Sequence, residues 1–125
     1  MSPILDTTVL IDVLRGDAGA VDYLLGLEEV ATCSEVTRVE VLRGLRSDER
    51  SGAERLFQRL RWVPVDEAVA RSAGELGRRL RRSHTGIGVA DLIVAATVEQ
   101  LGLELATTNV RHFPMFRGLR PPYGD

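Results

Sequence analysis

Short apolar runs that end on polar residues alternate along this chain with longer segments of helical period, and that alternation leaves few architectures open. Residues 3–5 close on Asp6-Thr7-Thr8, and an amphipathic stretch from Val9 to Leu14 follows and stops at Arg15-Gly16. A second short helix is expected from Ala18 to Leu27, and Val30-Ala31-Thr32-Cys33 reads as the next strand. Ser34 suits a helix N-cap, with Glu35 and Arg46 at the ends that favour an acid and a base. Ala53, Leu56, Phe57 and Leu60 recur at helical spacing, Trp62 to Val65 reads as a strand closed by Asp66, and a helix is expected from Glu67 to about Arg82. A loop at 83–88 precedes a helix from Val89 to about Leu101 and a strand from Glu104 to Thr107, and Pro121-Pro122-Tyr123 reads as an extended tail. Strands alternating with helices predict an α/β fold, a three-layer sandwich around a mainly parallel sheet. Ligands bind such sheets beyond the carboxyl ends of the strands. Asp6 and the segment Thr107-Thr108-Asn109 fall there.

A chain of 125 residues suits one domain over 1–125. With 44% apolar and 27% charged residues it lies far from the composition of disorder. It has no apolar run of roughly eighteen residues, and MSPILDTTVLID lacks a basic segment ahead of an apolar one, so a cytoplasmic protein with no membrane association is expected. Cys33 is the sole cysteine, which excludes an intrachain disulfide and a thiolate metal cage and leaves it as core filling. The net charge is −2, yet all 16 basic residues are Arg, four of them at Arg78, Arg79, Arg81 and Arg82. Arginine is the better bidentate phosphate partner, although all-Arg usage also follows from a GC-rich genome.

Asp91 is the one charge between Gly86 and Val98, a segment otherwise apolar on every side and therefore expected to be buried. A buried carboxylate must neutralise, pair or bind a metal; alternatively, Asp91 meets the free N–H groups of a helix start. Asp6, at the end of the first strand, faces the same choice between helix cap and functional acid. Glu40 lies mid-helix, where an i,i+3 pair with Arg43 accounts for it without any function. If the three converged they would repel one another unless a divalent cation held them. All-oxygen ligands suit Mg²⁺, or Mn²⁺, rather than zinc, and that chemistry points to phosphodiester hydrolysis.

Ile4-Leu5-Asp6-Thr7-Thr8-Val9-Leu10-Ile11-Asp12 resembles the first motif of PIN domains, in particular of VapC-type toxins. Val36 to Leu45 (VTRVEVLRGL) looks like their second motif, Gly88 to Thr97 (GVADLIVAAT) like their third, and Leu105 to Phe113 (LATTNVRHF) like their fourth. The four occur in family order over nearly the whole chain. The resemblance implies a sheet of about five parallel strands, a homodimer, an RNA substrate and a VapB-type antitoxin whose tail covers the active site. It implies Asp6 and Asp91 as the main metal ligands, with Glu40 completing the centre directly or through water. Many relatives carry an acid at the fourth motif. Neutral Asn109 stands at that site position here, which argues against a fully occupied second metal, and Thr107 becomes either a contact to the centre or a merely structural strand end.

The activity so implied is that of a type II toxin, an endoribonuclease in which a metal-activated water attacks the phosphodiester. Arg43, Arg46 and Arg111 are candidate phosphate contacts, with the run from Arg78 to Arg82 as the other basic surface, while His84 and His112 read as surface residues. Two alternatives remain. A catalytically silent PIN-type binding module is compatible with Asn109, and a receiver-like Mg²⁺-binding signalling domain shares the doubly wound sheet but uses a late Lys that this chain lacks.

Overall fold

The computed structural model describes residues 1–83 and 86–124, so His84 lies outside the described residues. Its centre is a parallel sheet of strands β1 (Ile4–Leu5), β2 (Thr32–Ser34), β3 (Arg61–Val63) and β4 (Leu105–Ala106) in the order β3-β2-β1-β4. Ile4 sits opposite Thr32 on one side and Leu105 on the other, and Leu5 pairs with Ala106. Among the described residues six α-helices surround it: α1 (Thr7–Leu14), α2 (Ala18–Leu25), α3 (Glu35–Gly44), α4 (Arg50–Phe57), α5 (Glu67–Leu80) and α6 (Val89–Leu101).

Successive strand residues point to opposite faces, and the core divides accordingly. Leu5, Cys33 and Ala106 pack with Val9, Leu10, Ala53, Leu56 and Phe57 from α1 and α4. Ile4 and Leu105 pack on the other face with Leu76 from α5, Val94, Ala95 and Val98 from α6, and Phe113. This is the expected α/β/α sandwich. Cys33 is fully buried, and burial pushes its thiol up to about 12, which leaves it inert at neutral pH.

Most element boundaries follow local chemistry. Ser34 caps α3 by accepting from the Val36 N–H at 3.2 Å, and Asp66 caps α5 through the Val69 N–H at 2.9 Å. Gly102, at φ +64°, closes α6 in the left-handed conformation that glycine adopts without strain. Several expected elements are shorter. The strand expected through Val65 stops at Val63 because Pro64 has no N–H for the ladder. The helix expected to reach Leu27 ends at Leu25, and α3 ends at Gly44, with Leu45 already extended. The helical spacing of Ala53, Leu56, Phe57 and Leu60 outlasts the helix itself: α4 ends at Phe57, and a 3-10 turn (Ser47–Glu49) leads into it.

The sheet has four strands among the described residues against the expected five or so. The tail adds none. Pro121 and Pro122 lack the donors a strand needs, and Tyr123 instead folds back on the first helices, donating its hydroxyl to Asp12 Oδ2 at 2.7 Å with its ring 6.0 Å from that of Tyr23.

Candidate active site

Asp6 and Thr107 are the first residues beyond the paired ends of β1 and β4, so the register that joins Leu5 to Ala106 carries them out side by side. The Thr107 hydroxyl donates to Asp6 Oδ2 at 2.7 Å. Both residues are buried. Asp6 also occupies the N-cap position of α1, yet its side chain makes no capping hydrogen bond. Its oxygen is held by hydroxyls instead, Thr107 first and Thr8 more loosely at 3.4 Å. Capping therefore accounts for Asp6 only in part: the Thr7 N–H at the helix start favours its charge, but the stronger hold comes from Thr107.

Glu40 is tied to the same corner from α3. The Thr7 hydroxyl, in the first turn of α1, donates to Glu40 Oε1 at 2.7 Å. Among the described residues no ion pair joins Glu40 to Arg43, so that simple explanation fails too; the i,i+3 pair on this helix is Arg38 with Glu35 at 2.6 Å.

Asp91 stands in the first turn of α6 behind its N-cap Gly88. The segment around it is less enclosed than its composition suggests: Val89 is 72% exposed, and burial becomes complete only from Val94 to Val98. The Asp91 side chain is half-buried, and its Oδ2 lies 3.1 Å from His112 Nδ1. Among the described residues its carboxylate accepts nothing from the helix backbone. It gains from the N-terminal end of the helix dipole, but the contact it makes is with His112.

The electrostatics bind the three acids together. Burial raises the Asp6 carboxyl above its ordinary 3.8, the hydroxyl of Thr107 and then the backbone N–H of Thr7 oppose the rise, and the charge of Glu40 adds to it. Burial likewise raises Asp91, followed by repulsion from Asp6; His112 counteracts, and Glu40 adds a smaller push. Asp6 thus feels Glu40, and the half-buried Asp91 feels Asp6 and, less, Glu40, across a corner at the carboxyl end of the sheet. Among the described residues no three His, Cys, Asp or Glu side chains form a set that could hold a metal ion unaided. Two carboxylates supplemented by water remain a suitable donor set for Mg²⁺ or Mn²⁺, which keep several waters and take one or two carboxylates. Asp6 and Asp91 are the two acids at this corner that such a cation would use, with Glu40 tied to the corner through Thr7.

Asn109 is exposed at the start of a 3-10 turn (Val110–His112). Its backbone N–H donates to Thr107 Oγ1 at 3.0 Å, so Thr107 relays between this turn and Asp6. Arg43, Arg46 and Arg111 are all exposed. The sequence offers Thr7 only as part of the turn after Asp6 and His112 as a surface residue; the link from Thr7 to Glu40 is a feature of the fold. His112 is indeed half-exposed, but no spacing in the chain announces its contact with Asp91.

A PIN-domain family model matches residues 4–116. Ribonuclease VapC19 of Mycobacterium tuberculosis is 45% identical over 124 residues, covering 96% of this chain and 98% of that protein. Ribonuclease VapC10 of the same organism is 43% identical over 122 residues, covering 96% and 92%. Among solved structures, a toxin–antitoxin complex from Klebsiella pneumoniae superposes with a TM-score of 0.84 at 23% identity, covering 99% of this chain and 100% of that one, which establishes the likeness of fold. The chain therefore belongs to the PIN-domain family, on the VapC-type branch that its relatives define.

Proposed function

We propose that this protein is a Mg²⁺- or Mn²⁺-dependent endoribonuclease and the toxin component of a type II toxin–antitoxin pair. The observation that carries the reading is Asp6: a buried carboxylate oriented by Thr107 across the sheet, pushed up by Glu40 and itself pushing up Asp91. Like charges gathered at a strand end cost stability, and a cation in their midst offsets that cost. The names of the 43–45% identical relatives supply the substrate class, RNA.

Asp6 and Asp91 would hold the cation, which when bound lowers the pKa of a water and offsets charge on the phosphoryl oxygens. Thr107 fixes the rotamer of Asp6 and His112 that of Asp91, so both carboxylates enter the reaction already oriented. Thr7 holds Glu40 facing the same corner, where its carboxylate can accept a proton from the attacking water. A VapB-type antitoxin is the partner we assign, on the strength of the VapC-type branch and of the toxin–antitoxin complex that shares the fold. We also read the protein as a cytoplasmic homodimer; no described helix is long and apolar enough to cross a membrane.

The test is cleavage of single-stranded and stem-loop RNAs by purified protein with Mg²⁺, with Mn²⁺ and with EDTA. Cleavage that requires a cation and disappears in Asp6→Asn is expected. Cleavage in EDTA, or undiminished cleavage by Asp6→Asn, would overturn the mechanism, and RNA binding with no cleavage under any condition would leave a silent binding module.

A further inference from the structure

Four arginines, Arg78, Arg79, Arg81 and Arg82, crowd the carboxyl end of α5, all exposed and, among the described residues, none in an ion pair. Arg71, higher on the same helix, is paired with Glu67 at 2.8 Å, so the helix does neutralise its bases where acids stand near. Basic residues at a helix end interact favourably with the dipole. That accounts for Arg78 and Arg79 in the last turn, but not for Arg82, which lies beyond the C-cap Arg81. Unpaired like charges at adjacent positions repel one another, and this chain is acidic overall.

Their position in the fold gives the cluster its meaning. Gly77, next to Arg78, lies so near α6 that a Cβ there would stand 3.0 Å from Leu92 Cδ1, and Leu92 is the residue after Asp91. Leu76, Leu80 and Leu92 belong to one apolar cluster that fastens the two helices together. The last turn of α5 is therefore packed against the first turn of α6, with the arginines and Asp91 at the same end of the helix pair.

We propose that Arg78, Arg79, Arg81 and Arg82 form a docking surface for the RNA sugar–phosphate backbone, holding the strand on the α5 side of Asp91 and leading it to the acidic corner. The proposal rests on the ribonuclease reading for the identity of its ligand. A polyanion is the complementary partner for unpaired guanidinium groups, and the acidic corner itself repels RNA, so the attraction must come from its flanks.

The experiment measures binding of a fluorescein-labelled single-stranded RNA by anisotropy over a range of salt, in EDTA so that cation-dependent cleavage does not intervene. The wild type is compared with a variant carrying Arg78→Gln, Arg79→Gln, Arg81→Gln and Arg82→Gln, with the four corresponding Arg→Lys changes, and with an Arg50→Gln, Arg55→Gln, Arg59→Gln control in and just beyond α4. Each single-strand phosphate contact contributes about 0.7 to the slope of log affinity against log salt, so the Gln variant should lose about 3 units. The Lys variant and the α4 control should keep the wild-type slope. Circular dichroism and thermal melting report that each variant is folded. An unchanged slope in the folded Gln variant, or an equal loss in the α4 control, overturns the docking surface. Transfer of the defect to anionic phospholipid vesicles, with RNA binding intact, overturns it in favour of a membrane partner. The two readings fail separately: a wild type that cleaves RNA with an unaltered slope in the Gln variant refutes only the surface, whereas slope loss without any cleavage by the wild type refutes only the ribonuclease.

Discussion

Thr107 and Asp6, 101 residues apart in the chain, are joined by a buried hydrogen bond of 2.7 Å across the ends of two adjacent parallel strands. Replacing Thr107 with Val keeps the shape and removes the donor. Losing a hydrogen bond to a charged, buried acceptor costs about 1.5–3 kcal/mol, and groups that orient metal ligands commonly carry 10–100-fold in metal affinity or activity. Thr107→Val should therefore weaken Mn²⁺ binding by calorimetry and slow cleavage by about that factor, while Thr107→Ser should retain both. Equal affinities in the wild type and the Val variant would make Thr107 a purely structural strand end.

Asp91→Asn should abolish cleavage without unfolding the protein. Because it relieves repulsion from Asp6 and Glu40, the metal-free variant should melt higher than the wild type, by roughly 4 °C if about 1 kcal/mol is recovered. Loss of the folded state would mean that Asp91 serves the start of α6 after all.

The raised Asp6 and Asp91 carboxyls fix a pH dependence. The folded protein holds these protons more tightly than the unfolded chain, so the contribution is fully present below the ordinary value of 3.8 and is lost as pH rises through the higher folded values. In EDTA, the stability of the wild type relative to an Asp6→Asn, Asp91→Asn double variant should fall on going upward through the carboxylate range. Urea midpoints measured across that range check this. A difference that is flat with pH, or that rises, contradicts the burial of these groups.

Arg111 precedes His112, which touches Asp91, and Arg43 is free of Glu40. If Arg43, Arg46 and Arg111 contact phosphates near the corner, each Ala substitution should flatten the salt dependence of single-stranded RNA binding by about 0.7 unit of slope. Unchanged affinity and slope in the triple variant would leave the arginines of α5 as the sole basic approach.

Much of this arrangement is written in local sequence. The α6 helix is bounded by Gly88 and Gly102, and its limits coincide with those its pattern predicts. Asp6 is legible because an apolar strand running into Asp-Thr-Thr and then a helix places it at a carboxyl end. What local pattern does not carry is the approach of separate elements. Glu40 looks like any exposed helical acid until α1 brings Thr7 against it, and His112 meets Asp91 only because the turn after β4 packs beside α6. The burial expected around Asp91 was overestimated for a related reason. Apolar residues such as Val89 mark a preference for the interior, but the first turn of a helix at the edge of a sheet has no layer above it to enter.

The order of the strands has a consequence for the protein while it is being made. β1, the first strand to leave the ribosome, lies between β2 and β4, and β4 is the last. The partner that orients Asp6 is synthesised after all six described helices and all four described strands, and Tyr123, which fastens α1 through Asp12, comes later still. Contacts so distant along the chain form late, after the intervening residues have been ordered. A partly translated chain therefore carries Asp6, Glu40 and Asp91 before it carries the Thr107 that completes their setting, and the corner gains its full set of contacts only after β4 has been made.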